Sequence, residues 1–170
     1  KRTYFGYRQY NNKYRYLYKS KLESLFGEIV FDKKEYYKYN TRIYCPTFLS
    51  DLFFTKFNIH YEDYISEKAT IPNEIIRSEK DNQLAFLLAF IIDEGSVDSS
   101  LIVISLKNKK LIYDLGKLCK NLDYNCSIRQ RNDQPEYYNL NILKIGIEKL
   151  WKDYKKLSIK YPESDLGWKG

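Results

Sequence analysis

At 170 residues the chain has length for one domain or two fused small repeats, with enough of it to build a real apolar core. Its 29 lysines and arginines against 22 acidic residues leave a net charge of +7, which favours a polyanionic partner over an acidic interface. Three cysteines (Cys45, Cys119, Cys126) and the single His60 match no metal-ligand spacing, so a zinc site is excluded and the thiols read as ordinary reduced residues of an intracellular, cytoplasmic protein.

Secretory signals, low-complexity tracts and Gly-rich phosphate loops are absent from the sequence, and nothing in it is long and apolar enough for a membrane span. There is no Met and the chain opens on Lys1, which reads as a piece of something longer. Its first 66 residues are expected to form a strand over Thr3 to Gln9, a helix over Tyr14 to Phe26, a hairpin through Ile29 to Tyr44 and a helix over Thr47 to Phe57. Lys1, Arg2, Arg8, Lys13, Arg15 and Lys19 fall in the first twenty residues with no acid among them and six tyrosines interleaved. A solvated basic strand and helix explains that stretch alone. Arg129, Gln130 and Arg131 on a matching hairpin later in the chain tip the reading towards phosphate and base-edge contacts. The tyrosines, 18 in all, are scattered and read mainly as sheet-face packing and not as a stacking platform for unpaired bases. His60 reads as a loop residue, and residues 67–80 as a linker.

The organising stretch follows, Leu84 to Val97, LAFLLAFIIDEGSV. It predicts a buried helix over 82–94 with Asp81 or Asn82 as N-cap and Gly95 in the left-handed conformation that ends it. Ala85 and Ala89 lie four apart, forming a small-residue edge against which another helix backbone can come very close. Asp93 and Glu94 sit at the negative end of the helix dipole, where each carboxylate loses ~0.3–1 kcal/mol. If two such helices pack side by side, their carboxylates converge, and a hard divalent cation such as Mg²⁺ resolves both conflicts.

The rest of the second half reads as strand Ser99 to Ser105, helix Leu111 to Leu122, strands Cys126 to Gln130 and Tyr137 to Leu143 around an Asn132-Asp133-Gln134-Pro135 turn, and a helix from Gly146 to Ser158. An internal repeat runs beneath this order. Asn12-Lys13 recurs as Asn108-Lys109, Glu35-Tyr36-Tyr37 as Glu136-Tyr137-Tyr138, and the Leu49, Leu52, Phe53 helix as Ile147, Leu150, Trp151. The chain therefore divides into a first repeat over 1–66, which lacks a counterpart of the 82–94 helix, a linker over 67–80, and a second repeat over 81–170.

FLLAFIIDEGSV, from Phe86 to Val97, resembles the signature helix of the archaeal and intein-like LAGLIDADG homing endonucleases, and ATIPNEI, from Ala69 to Ile75, resembles the linker leading into that family's second signature helix. The short motif is moderately specific, while the repeated pattern extends over nearly the whole chain. The resemblance implies an α+β fold of two αββαββα-type repeats whose antiparallel sheets form a DNA-binding saddle. It implies site-specific hydrolysis of double-stranded DNA with Mg²⁺ or Mn²⁺, an intron or intein association, Glu94 and less surely Asp93 as metal ligands, and Lys144 as the family's peripheral lysine. The second signature helix would come from a preceding segment of the polypeptide or from another copy in a homodimer. One departure is Ile92, where the family usually places an acid. It leaves open whether Asp93 or Glu94 faces the partner helix, and keeps two other readings alive: a DNA-binding regulator that does not cut, and an intron RNA maturase.

Overall fold

The computed structural model describes residues 6–8, 10–27, 42–44, 47–57, 67–162 and 165–166. The chain forms two compact units, 1–61 and 62–170. In the first, strand β1 (Gly6–Arg8) pairs antiparallel with β2 (Arg42–Tyr44), and two helices, α1 (Asn12–Phe26) and α2 (Thr47–Phe57), follow the expected spans closely. Asn11 caps α1 by accepting from the Lys13 N–H at 2.9 Å, satisfying one of the orphan donors of the first turn. Arg2, Cys45, His60 and most of the expected 29–44 hairpin lie outside the described residues.

The second unit is three long helices on one face of a four-stranded antiparallel sheet. A short helical turn, α3 (Asn73–Ile76), leads into α4 (Lys80–Glu94), and strands β3 (Gly95–Val97) and β4 (Leu101–Leu106) come next. Then follow α5 (Lys109–Asn121), β5 (Cys126–Gln130), β6 (Tyr138–Leu143) and α6 (Lys144–Lys160). Strand order across the sheet is β3-β4-β6-β5. Alternation in the strands sets its two faces: Ile102, Ile104, Leu140 and Ile142 are fully buried against Leu87, Leu88 and Ile91 of α4, Leu115 and Leu118 of α5, and Leu150 of α6. Each such side chain contributes ~1.5–3 kcal/mol by leaving water.

Several details depart from the expectations. The 67–80 stretch is packed into this core: Ile71 is buried, the Ala69 carbonyl accepts from Asn108 Nδ2 at 2.7 Å, and Gln83 Nε2 donates to the carbonyls of Ile76 and Ser78. Helix α4 starts two residues early, with Glu79 at the N-cap and no side-chain cap bond, so neither Asp81 nor Asn82 plays that part. Asp81 instead pairs with Lys160 of α6 at 2.6 Å. Gly95 is not left-handed. Its φ of −89° and ψ of 141° are extended, and the chain passes from helix to strand with no intervening turn. Glycine is needed for a different reason: a Cβ there would lie 2.5 Å from the Ile91 carbonyl oxygen, which accepts the Gly95 N–H.

Candidate nucleic-acid interface and acidic helix tip

Helix α4 carries two parallel ridges at four-residue spacing, Ala85–Ala89–Asp93 and Phe86–Phe90–Glu94, turned about 100° from one another. Leu84, Leu87, Leu88 and Ile91 occupy the opposite side and bind the helix to the sheet. Ala89 and Asp93 are exposed, and Ala85, Phe86, Phe90 and Ile92 are half-buried at the margin of the core. The alanine edge is thus free of large side chains and ends on Asp93. The Phe86 and Phe90 rings lie 6.2 Å apart, and Glu94 extends their ridge by one turn. Partial desolvation raises the Glu94 pKa above the ordinary carboxylate range, and the Asp93 charge beside it adds to the effect.

The tip is fixed to the sheet by the direct passage into β3, the edge strand. Gly95 is level with Ile104 of β4, which is level with Leu140 of β6 and, beyond it, Ile128 of β5. The face of this sheet away from the helices carries the residues of the other parity. Ser96, Val103, Asn141 and Ser127 form one row across it, and Ser105, Asn139 and Arg129 the next. Four strands span ~14 Å, comparable with the ~12 Å width of a DNA major groove. Arg129 is exposed and makes no ion pair among the described residues. The Ser105 hydroxyl and the Asn139 Oδ1, in the middle of this face, are buried without a hydrogen-bond partner among the described residues. Unpaired polar atoms of that kind cost roughly 1–3 kcal/mol each and call for an explanation beyond stability.

At the end of the sheet where β5 turns into β6, cations and tyrosine rings interleave. Lys107 lies 5.1 Å and Arg131 5.8 Å from the Tyr137 ring centre, and Lys109 sits 5.4 Å from that of Tyr138. These rings hold positive side chains at the rim and are engaged by them. Sequence reasoning named none of Lys107, Lys109, Asn139, Asn141 or the three serines as a site residue. The alternation in Tyr138–Leu143, where Asn139 and Asn141 interleave with Leu140 and Ile142, was the signal that could have found the amides.

The other expected site residues fare differently. Arg131 is bound to Asp133 of its own turn at 2.5 Å, and Gln130 Nε2 donates back to the Pro135 carbonyl at 2.5 Å, so both are spoken for locally. In the first unit, Arg15 donates to the Tyr10 carbonyl at 3.0 Å and to Asn12, Lys13 is exposed in the first turn of α1, and Arg8 belongs to β1. Lys144 is not at a strand end: it is the first residue of α6, exposed, and the register sets it ~13 Å along and ~10 Å across the sheet from Gly95. The fold does not bring it beside Glu94.

Among the described residues no three His, Cys, Asp or Glu side chains gather into a metal cluster. The donor set at the tip, two hard carboxylates, suits Mg²⁺ all the same, since that ion takes one or two protein carboxylates and fills its shell with water and phosphate oxygens. No helix among the described residues is long and apolar enough to cross a membrane.

No protein-family model and no curated protein matches the sequence. Solved structures do. A structure of mesophilic variants of the homing endonuclease I-DmoI matches with a TM-score of 0.57 and 16% identity over 91% of this chain and 78% of that one. A glycine-to-serine variant of I-DmoI, in complex with its target DNA in the presence of Mg, matches with a TM-score of 0.55 and 16% identity over the same shares. The chain therefore has a mixed α+β fold similar to that of I-DmoI, a LAGLIDADG homing endonuclease.

Proposed function

We propose that this chain is a site-specific, metal-dependent endonuclease of double-stranded DNA, built on two related repeats. The observation that carries the reading is the tip of α4. Two adjacent carboxylates end a helix that carries an alanine edge, at the margin of a sheet whose face away from α4, α5 and α6 is polar. Likeness of fold to an endonuclease that binds its target DNA supports the same conclusion.

Glu94 and Asp93 would hold the cation, Mg²⁺ or Mn²⁺, which when bound stabilises charge developing on a phosphodiester oxygen. Burial and the Asp93 charge work against the charged form of Glu94, and a bound cation would work in its favour. Asp93, in line with Ala85 and Ala89, meets the second helix that packs on this edge, from a preceding segment of the polypeptide or from another copy in a homodimer. That helix supplies the remaining carboxylate. Arg129 neutralises phosphate while Ser96, Ser127, Asn139 and Asn141 address base edges, hydroxyl and amide groups being suited to both donors and acceptors in the major groove.

A second reading has a specific observation behind it. Ile92, half-buried on α4, puts an apolar side chain where the resembled family carries an acid, which favours a DNA-binding regulator that does not cut. The two separate in one experiment: cleavage of a randomised duplex library with Mg²⁺ or Mn²⁺, comparing the chain with Glu94→Gln. Cutting that Glu94→Gln reduces at least a hundred-fold is the expected result. Duplex binding at low salt without cutting in either metal selects the regulator, and preference for structured RNA over duplex selects a maturase.

A further inference from the structure

The sequence reads Cys119 and Cys126 as inert, but the fold places them against each other. Helix α5 ends in a reversal in which Tyr124 N donates to the Cys119 carbonyl at 2.8 Å and Asp123 N to that of Lys120 at 3.0 Å, with Asp123 left-handed at a φ of 60°. Strand β5 consequently runs back beneath the helix. The register puts Cys126 opposite Ile142, a residue of the helix-covered face, so its thiol points towards α5. One turn before Cys119, Gly116 brings the helix so close to this strand that a Cβ would lie 2.7 Å from Ile128 Cδ1, two residues after Cys126. Helix and strand therefore pack closely here, and both cysteines belong to the apolar layer between them.

Both thiols are free, and their environments differ. Cys119 is wholly buried and Cys126 is half-buried. The Cys119 thiol hydrogen-bonds to Cys126, and together with the nearby Lys120 ammonium it lowers the Cys126 pKa, while the same contact and burial raise that of Cys119.

We infer that Cys119 and Cys126 are a peroxide-oxidisable dithiol, Cys126 the attacking sulfur and Cys119 the resolving one. The Cys126 thiolate attacks one oxygen of hydrogen peroxide, the O–O bond breaks, and the leaving hydroxide takes up the proton given off by the thiol, which leaves Cys126 as a sulfenic acid. The Cys119 sulfur then attacks the Cys126 sulfur, expelling the sulfenic oxygen as water with the Cys119 proton. In sum, two thiols and one peroxide give one disulfide and two waters, the sulfurs being oxidised and the peroxide oxygens reduced. The bond formed ties the end of α5 to β5, the strand that presents Ser127 and Arg129 on its other face.

The test treats the full chain, folded, with hydrogen peroxide, quenches in acid, alkylates under denaturing conditions and maps the peptides by mass. The expected product is a Cys119–Cys126 cross-linked pair, lighter by two hydrogens and reversed by a dithiol reductant. Cys119→Ser should leave a Cys126 sulfenic acid that dimedone traps, whereas Cys126→Ser should leave Cys119 unoxidised. Full alkylation of both cysteines after peroxide, or Cys126 sulfinic acid without the cross-link, overturns the inference. Both outcomes are read on the unsubstituted chain, so a variant that fails to fold does not blunt the test.

Discussion

The two faces of the four-stranded sheet are made by the same strands and differ by one residue of register. On one, Ile102, Ile104, Leu140 and Ile142 lie fully buried under α4, α5 and α6. On the other, Ser105, Asn139, Asn141, Ser127 and Arg129 occupy the same rungs' alternate positions and none is fully buried. A period of two thus lets one short segment hold the fold together and present a recognition surface, with stability and specificity carried by different side chains. Asn139 and Ser105 sharpen the contrast. Among the described residues neither Ser105 Oγ nor Asn139 Oδ1 has a hydrogen-bond partner, so the polar choice there does not serve stability.

Mutations on the two faces should separate these roles. The largest effect is expected on the covered face: Leu140→Ala should cost ~2–5 kcal/mol in urea unfolding, by lost burial plus the cavity left behind. Asn141→Ala, its sequence neighbour on the polar face, should change stability by less than ~0.5 kcal/mol and weaken binding to a selected duplex by ~1–3 kcal/mol at the base it meets. Equal losses of stability in the two variants would break the division between the faces.

The smallest effect belongs to the sheet's edge, at the tip of α4. Because burial and Asp93 raise the Glu94 pKa, the folded chain holds this proton more tightly than the unfolded one, so the contribution is favourable at low pH and is lost as pH rises through the raised value. Relative to Glu94→Gln, the parent chain should lose a small part of its stability as pH rises through the ordinary carboxylate range and beyond it, and added Mg²⁺ should restore it at the upper end. A pH difference of the opposite sign would show that the tip is already neutralised by a neighbouring cation.

Much of the second unit was legible because its signals are local. Strand β5 spans Cys126–Gln130 as its composition suggests, and the apolar run of α4 ends at Glu94 as expected. Errors fell where a local preference met a tertiary demand. Gly95 was read as a turn residue, yet it is there because helix and strand join without a loop over the Ile91 carbonyl. Lys144 was read as a strand end, yet α6 begins on it.

By itself the chain of residues determined the acidic-tipped apolar helix, the alternation of the strands and the net positive charge, since each depends on side-chain chemistry at short separation along the backbone. Only the tertiary structure decided which amides share a face with Arg129, that Lys144 lies far from Glu94, and that Cys119 meets Cys126. These are distances between segments remote along the chain, set by strand register and by how closely a glycine lets helix and sheet approach, and periodicity carries no record of either.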